Sequence, residues 1–303
     1  MTSATATKAP RGLLLAAAVM ACAALMSACA AATAPAETGR PRADGPPYPV
    51  VLTESQERRE RALAGWAHVT GALPVRGGAA AVGPTPELQP VTATARSLPA
   101  GLQTPPRLPR VVIENEAEQS EEETRESLRR FIAAAAPLLG VEPARVSLVE
   151  ITDAPGGSKR AAYRQSPFGF PLRNGYGLIE ITFTPDLRVT GLTSTAVPDS
   201  DRLARSLEAV VRSVTAEAAV ASLANRAVTF TGPAGERQTR TLTQSDPAEA
   251  RELVVFPVER SGAVAALELH LAWEIAVGGG QGPPLLVYVD AVTGEQLAAV
   301  QSP

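Results

Sequence analysis

The residues best suited to chemistry lie on one predicted strand in the last part of the sequence. Glu268, His270 and Glu274 fall on the same face of this strand. Glu268 and His270 are roughly 7 Å apart along it, because a strand rises about 3.4 Å per residue. A metal ion could in principle bridge them. The alternating pattern favours the alternative, the solvated face of a half-buried sheet, so we expect no catalytic residue and no metal ligand here.

The rest of the sequence offers few groups for catalysis or metal binding. His68 is the only other histidine, and it lies far from His270 along the chain. The motifs H-E-x-x-H and G-x-S-x-G and the P-loop do not occur. A histidine-based zinc site or a Ser-His-Asp triad would therefore lack partners. The sequence predicts a protein that is not an enzyme and holds no cofactor.

The N-terminus has the three parts of a secretory signal. Positive charge at Lys8 and Arg11 precedes the apolar run 13–26 and the small residues 27–28, which stand before Cys29. The run is shorter than the roughly 20 residues that a spanning helix needs. The letters L-M-S-A-C resemble a bacterial lipobox, with Met where Leu is usual. The resemblance implies a signal peptide over 1–28 and lipid attachment at Cys29; the alternative is ordinary secretion with an incidental cysteine.

Net charge and cysteine content limit which partners and which covalent cross-links are expected. Loss of Lys8 and Arg11 with the signal peptide changes the formal net charge from −3 to −5, which argues against nucleic acid as a partner. Cys29 would be the one remaining cysteine, so no internal disulfide is expected. The expected partner is a membrane of the cell envelope. The position directly after Cys29 is Ala30 and not an acidic residue, and in lipoproteins this favours the outer membrane or cell surface over the cytoplasmic membrane.

Composition divides the rest of the chain into three segments. Residues 29–109 are rich in Pro, Ala and Gly and predict a tether with one short helix at about 54–70. A capping box at Thr53 and Gln56 would open that helix. Residues 110–198 and 199–303 each show helical periodicity followed by strands, which predicts an α+β fold of two helix-plus-antiparallel-sheet units.

The elements of these two units follow from hydrophobic periodicity and turn signals. A capping box at Ser120 and Glu123 opens the clearest helix, which Gly140 can close. Trp273 lies on the apolar face of the longest strand, so we expect it to be buried. Asp290 can bond forward into its own turn, a structural role. Strands are expected over 146–151, 163–166, 178–183, 188–195, 253–259, 266–277 and 285–289, helices over 203–214 and from 215, and a polar loop over 232–250.

Several of these segments resemble, in order, two known modules. The helix that ends L-L-G at 138–140, the letters G-F-P-L at 169–172 and the hairpin 177–189 resemble the FTP domain, the propeptide module of fungalysin and thermolysin. The letters L-A-W-E-I at 271–275 and V-D-A-V-T-G-E at 289–295 resemble a PepSY domain. The letters S-P-F that follow Gln165 depart from the family's more aromatic stretch.

The resemblance covers about residues 110–300 and implies a function. In that family the module precedes a zinc metalloprotease domain, which it helps to fold and blocks; without H-E-x-x-H, no such domain is present in these 303 residues. We therefore expect a non-catalytic envelope lipoprotein that binds, chaperones or inhibits a secreted partner such as a metalloprotease. The alternative is a structural or ligand-binding envelope lipoprotein with no protease partner. Phe168 and Phe170 are the candidate partner contacts, unless they cover their own core.

Overall fold

Short helices alternate with largely antiparallel sheets through most of the chain, which confirms the expected α+β class, and one strand pair of the larger sheet is parallel. The computed structural model describes residues 47–71, 84–111, 120–232, 234–278 and 282–302. The helices are α1 Gln56–Thr70, α2 Glu121–Ala134, α3 Ala136–Leu139, α4 Ser200–Glu208 and α5 Ala216–Ala221. The strands are β1 Val50–Thr53, β2 Glu87–Leu88, β3 Ala95–Ser97, β4 Val146–Ala154, β5 Ser158–Gln165, β6 Leu178–Phe183, β7 Val189–Ser194, β8 Ala227–Thr231, β9 Arg237–Thr241, β10 Ala248–Arg260, β11 Ala266–Val277, β12 Leu285–Asp290 and β13 Gln296–Gln301.

The first core lies between α2 and the four-stranded sheet β4-β5-β6-β7. The Ser120 hydroxyl accepts from the Glu123 amide, and the Glu123 carboxylate accepts from the Ser120 amide, so the predicted capping box is confirmed. The apolar stripe of α2 is buried against the inner face of the sheet. The helix breaks at Ala135, because Pro137 has no N–H to continue the ladder. Gly140 ends α3 in the left-handed region, as predicted, with a φ of 74°.

The second and third cores lie on one face of a seven-stranded sheet. Its order is β1-β11-β12-β13-β8-β9, with β10 on the other edge of β11. β11 alternates as predicted, and its odd-numbered apolar residues face α4 and α5. Trp273 has the predicted strand phase but is only half-buried, because its ring lies between the two cores and its Nε1 donates to the Val214 carbonyl at 2.9 Å. Full burial was therefore the wrong expectation for this side chain.

The predicted tether is wrong for the described part of residues 47–109. β1 pairs with β11, and α1 buries Trp66 in the first core. Leu88 and Leu108, from the Pro-rich stretch, are buried in the same core. Composition does not indicate this packing, because the apolar residues of the segment are widely spaced and pack between side chains of other segments. The cap of α1 is Ser55 rather than Thr53, whereas the helix itself agrees with the prediction.

Other differences occur where strands are exposed or the helical stripe is too long. β9 lies in the predicted polar loop, as an edge strand whose side chains are mostly exposed and show no alternation. β8 and β13 were also missed. α4 ends at Glu208, so Val211, expected on its buried stripe, is 77% exposed.

Candidate functional site

His270 lies in a buried polar network and not on a solvated face. It is 7% exposed; its Nδ1 lies 2.7 Å from Asp290 Oδ2 and its Nε2 lies 3.4 Å from Glu268 Oε2. The Tyr48 ring meets the imidazole edge-on, with 5.7 Å between centroids. Glu274, on the same strand face, is 4% exposed. The expectation of a solvated face was wrong for His270 and Glu274, because segments distant in sequence cover them.

Asp290 holds three segments of this network together. Its Oδ2 accepts from the Tyr48 hydroxyl at 2.9 Å, in addition to the contact with His270. Its Oδ1 accepts from the amides of Val292 and Thr293 at 2.7 and 2.9 Å, so the predicted forward bonding into the turn is confirmed. Tyr48 also accepts from the amide of Leu271 at 3.0 Å, which ties the start of the described chain to β11.

The charge states of this network follow from burial and hydrogen bonding. Burial alone would raise the pKa of Asp290, but the bonds from His270, the two backbone amides and Tyr48 together hold that pKa below its ordinary value. Burial, and then the Asp290 charge, raise the pKa of Tyr48 far above its ordinary value. The carboxylate is therefore ionised and the phenol protonated, as the bond between them requires.

A carboxylate–imidazole pair can orient a general base for nucleophilic catalysis. Here the outer nitrogen, Nε2, faces Glu268, whose carboxylate accepts from Arg260 Nε at 2.8 Å, and not a hydroxyl or thiol. Both carboxylate oxygens of Asp290 already accept hydrogen bonds within the chain, from the Tyr48 hydroxyl and the Val292 amide. Among the described residues no three His, Cys, Asp or Glu side chains converge as metal ligands would. The arrangement acts as an internal clasp between β11, the β12 turn and Tyr48.

A second polar contact fixes the loop between β5 and β6 to the edge of β10. Leu172 pairs with Val255 in parallel register and is buried in the second core. Arg173, on the opposite face, donates to Glu274 at 2.6 Å and also pairs with Glu252. The buried Glu274 is thus neutralised by the loop, which explains why it is buried at all.

The predicted partner contacts Phe168 and Phe170 lie in this fixed loop. Both rings are half-buried and pack against the second core, while Gly169 and Pro171 between and beside them are exposed. Their role in partner binding stays a prediction. Cys29 lies outside the described residues. Among the described residues, every helix is too short or too polar to span a membrane.

A cavity of about 830 Å³ lies among α1, α3 and the start of α4, where sequence reasoning placed no site. Five arginines and three carboxylates line it: Arg58, Arg61, Arg145, Arg202 and Arg205, with Glu142, Asp199 and Asp201. The local sequence gives little warning, because these residues come from segments far apart in the chain and read as solvated helix faces.

No protein-family model matches the chain, and a search of curated proteins finds no significant relative.

Proposed function

We propose that this protein is a non-catalytic lipoprotein of the cell envelope that binds, chaperones or inhibits a secreted partner such as a metalloprotease. The observation that carries the proposal is the clasp. His270 and Asp290, the pair best suited to acid–base chemistry, are engaged on both sides by groups of their own fold. Binding is then the activity left to the folded part of the chain.

The arrangement of layers supports propeptide-like units. α2 covers one face of a four-stranded meander within 110–198, as an FTP-like unit would require. α4 and α5 cover one face of the larger sheet within 199–303, as a PepSY-like unit would require. β1 and α1 add to these units from the segment before them. In this proposal Cys29 anchors the whole to the outer membrane or cell surface.

The loop 166–177 is the proposed partner surface. Leu172 pairs with β10 and Arg173 with Glu274 of β11, so the aromatic turn is held at two places, which lowers the entropy lost on binding. Pro171 is exposed and lacks an N–H, so a protease that binds extended substrates finds no donor there. Phe168 and Phe170 would contribute the exposed part of their rings.

Capture from the envelope tests this proposal. The tagged full chain is expressed in a protein-secreting bacterium, cross-linked at the cell surface and purified, and its partners are identified by mass spectrometry. Phe168→Ala should retain less of a secreted protease than wild type, at a melting temperature that still reports a folded protein. Val211→Ala, an exposed apolar residue elsewhere, is the matched control and should capture as wild type does.

A wild-type chain that retains no secreted protease would end the inhibitor proposal. The alternative, an envelope lipoprotein that binds a small ligand and has no protease partner, would then take its place. One observation favours this alternative specifically: the arginine-lined cavity is large enough for a small organic molecule, since such sites commonly measure about 300–1,000 Å³.

A further inference from the structure

We propose that the cavity among α1, α3 and α4 binds a ligand through a phosphate group. This inference goes beyond the proposed function, because it needs no protease partner. The chain as a whole is acidic, with a formal net charge of −3, yet the cavity lining carries two more positive than negative charges. Cations thus outnumber anions in this cavity, although anions outnumber cations in the chain as a whole.

Two of the five arginines are already neutralised within the fold. Arg58 Nη1 donates to Asp199 at 2.8 Å, and Arg145 Nη2 donates to Asp201 at 2.6 Å. Arg58 is 8% exposed, and its Nε has no hydrogen-bond partner among the described residues. These pairs build the wall of the cavity and hold α1 and the residues before β4 against the start of α4.

The other three arginines are available to a ligand. Arg202 and Arg205 form no ion pair among the described residues, and they lie three positions apart, on the same side of α4. Arg61, from α1, has only a distant contact of 3.8 Å with Glu57, and both side chains are more than half exposed. Two guanidinium groups on α4 therefore line the cavity without an ion pair among the described residues, and a third, on α1, has only the long, exposed contact with Glu57.

The N-terminus of α4 adds a weaker attraction for anions. Asp199 stands at the N-cap with a φ of 54°, but its carboxylate is held by Arg58 and no side chain caps the first turn. Ser200, the first residue of the helix, lines the cavity. Helix N-termini favour anions because their first amides are unpaired and carry partial positive charge.

Phosphate fits this lining better than a single carboxylate does. A phosphate monoester carries up to two negative charges and three acceptor oxygens, which matches an excess of two positive charges and the guanidinium groups of Arg61, Arg202 and Arg205. The volume exceeds that of one phosphate, and Ala136, Pro137 and Val141 give an apolar wall for the organic remainder. The same chemistry belongs to a soluble phosphate ester and to the headgroup of a phospholipid.

Calorimetry on the detergent-solubilised full chain tests the proposal and separates the two sources. Glycerol 3-phosphate is the soluble probe, dihexanoyl phosphatidic acid the lipid probe, and acetate the carboxylate control. We expect binding of at least one phosphate probe, weakened by at least about tenfold in Arg202→Gln/Arg205→Gln, because each charged hydrogen bond contributes that much or more. Arg212→Gln, an exposed arginine that does not line the cavity, should bind as wild type does.

Each result decides the proposal. Binding of one phosphate probe alone supports it and identifies the source. It is overturned if neither probe binds wild type, if acetate binds as tightly as the phosphates, or if the double variant binds as Arg212→Gln does while its melting curve shows it folded. Phosphate binding should survive in Phe168→Ala, so failure of the protease proposal and failure of this one are distinguishable.

Discussion

Removal of the Asp290 carboxylate should be among the most damaging single changes in the molecule. The residue is 1% exposed and accepts from Tyr48 and from the amides of Val292 and Thr293, with His270 Nδ1 at 2.7 Å. Asp290→Ala leaves all of these groups without their acceptor. Tyr48 can turn toward the Leu271 carbonyl, 3.4 Å away, and the exposed Thr293 can reach water. His270 is affected most, because it is a buried residue of β11 and its Nδ1 loses its partner.

The magnitude follows from those partners. Removing one member of a buried charged pair costs about 3–5 kcal/mol, and an unmade bond to a charged group costs about 1.5–3 kcal/mol. With two of the donors able to find other partners, we expect Asp290→Ala to lower the free energy of unfolding by about 3 kcal/mol. Asp290→Asn keeps an acceptor for the turn and should lose about half as much.

The pH dependence gives a second, independent readout. The folded-state pKa of Asp290 lies below its ordinary value of 3.8, so its contribution to stability is fully present above that value. The contribution is lost as the pH falls through the folded pKa, because the unfolded state binds the proton first. Asp290→Asn cannot titrate, so its stability should fall less steeply than that of wild type below pH 3.8.

Urea unfolding of the mature chain, followed by the fluorescence of Trp66 and Trp273, measures both effects. Asp153→Ala, at an exposed aspartate on β4, is the control and should stay within about 0.5 kcal/mol of wild type. The reasoning is refuted if Asp290→Ala costs less than about 1 kcal/mol. It is also refuted if Asp290→Asn and wild type lose stability in parallel as the solution is acidified.

Three further changes have defined outcomes. Cys29→Ala should move the protein from the membrane fraction to a soluble or unprocessed form; mass spectrometry showing an unmodified mature start elsewhere would count against the anchor. Gly140→Ala should cost about 3 kcal/mol in thermal unfolding, since φ is 74° and the new Cβ would lie 2.5 Å from Thr94 Cγ2. Trp273→Ala should cost about 2 kcal/mol, less than a fully buried tryptophan, and an unchanged melting temperature would contradict its packing and its bond to Val214.

Hydrophobic alternation and capping motifs predicted the helices and strands that are regular and half-buried. The boundaries of β6 and β11 agree with the alternation in the sequence, and the caps at Ser120 and Gly140 agree with their signatures. These features depend on residues within a few positions of one another. β9 escaped prediction for the opposite reason: an exposed edge strand needs its partner β8 to be a strand at all, and its own side chains carry no pattern.

Only some of the hydrogen bonds that Asp290 accepts in the clasp could be predicted from the sequence. The forward bonds of Asp290 into its turn follow from the local motif, and they are confirmed. The hydrogen bond from Tyr48 could not be predicted, because Tyr48 stands 242 residues earlier in the chain. Alternation places His270 opposite the apolar face of β11, but it does not say whether water or another segment covers that side. The residue that covers it, Tyr48, lies in a segment whose composition predicts a tether, so the sequence alone predicts a solvated polar face.

The arginine cavity shows why composition misleads at this kind of site. Lys159 is the only lysine beyond residue 28, so arginine occupies every other Lys/Arg position there, and its frequency does not indicate which arginines have a function. Arg58 reads as part of a solvated face, yet it is buried and bonds Asp199, 141 residues away. α1 also lies close to α3 on this side of the cavity, where a Cβ on Gly65 would lie 3.2 Å from Pro137 Cβ. A glycine inside a helix costs about 1 kcal/mol, so its presence there is the one local sign that another element comes close. The identity of that element, and with it the arginine set around the cavity, depends on the tertiary fold.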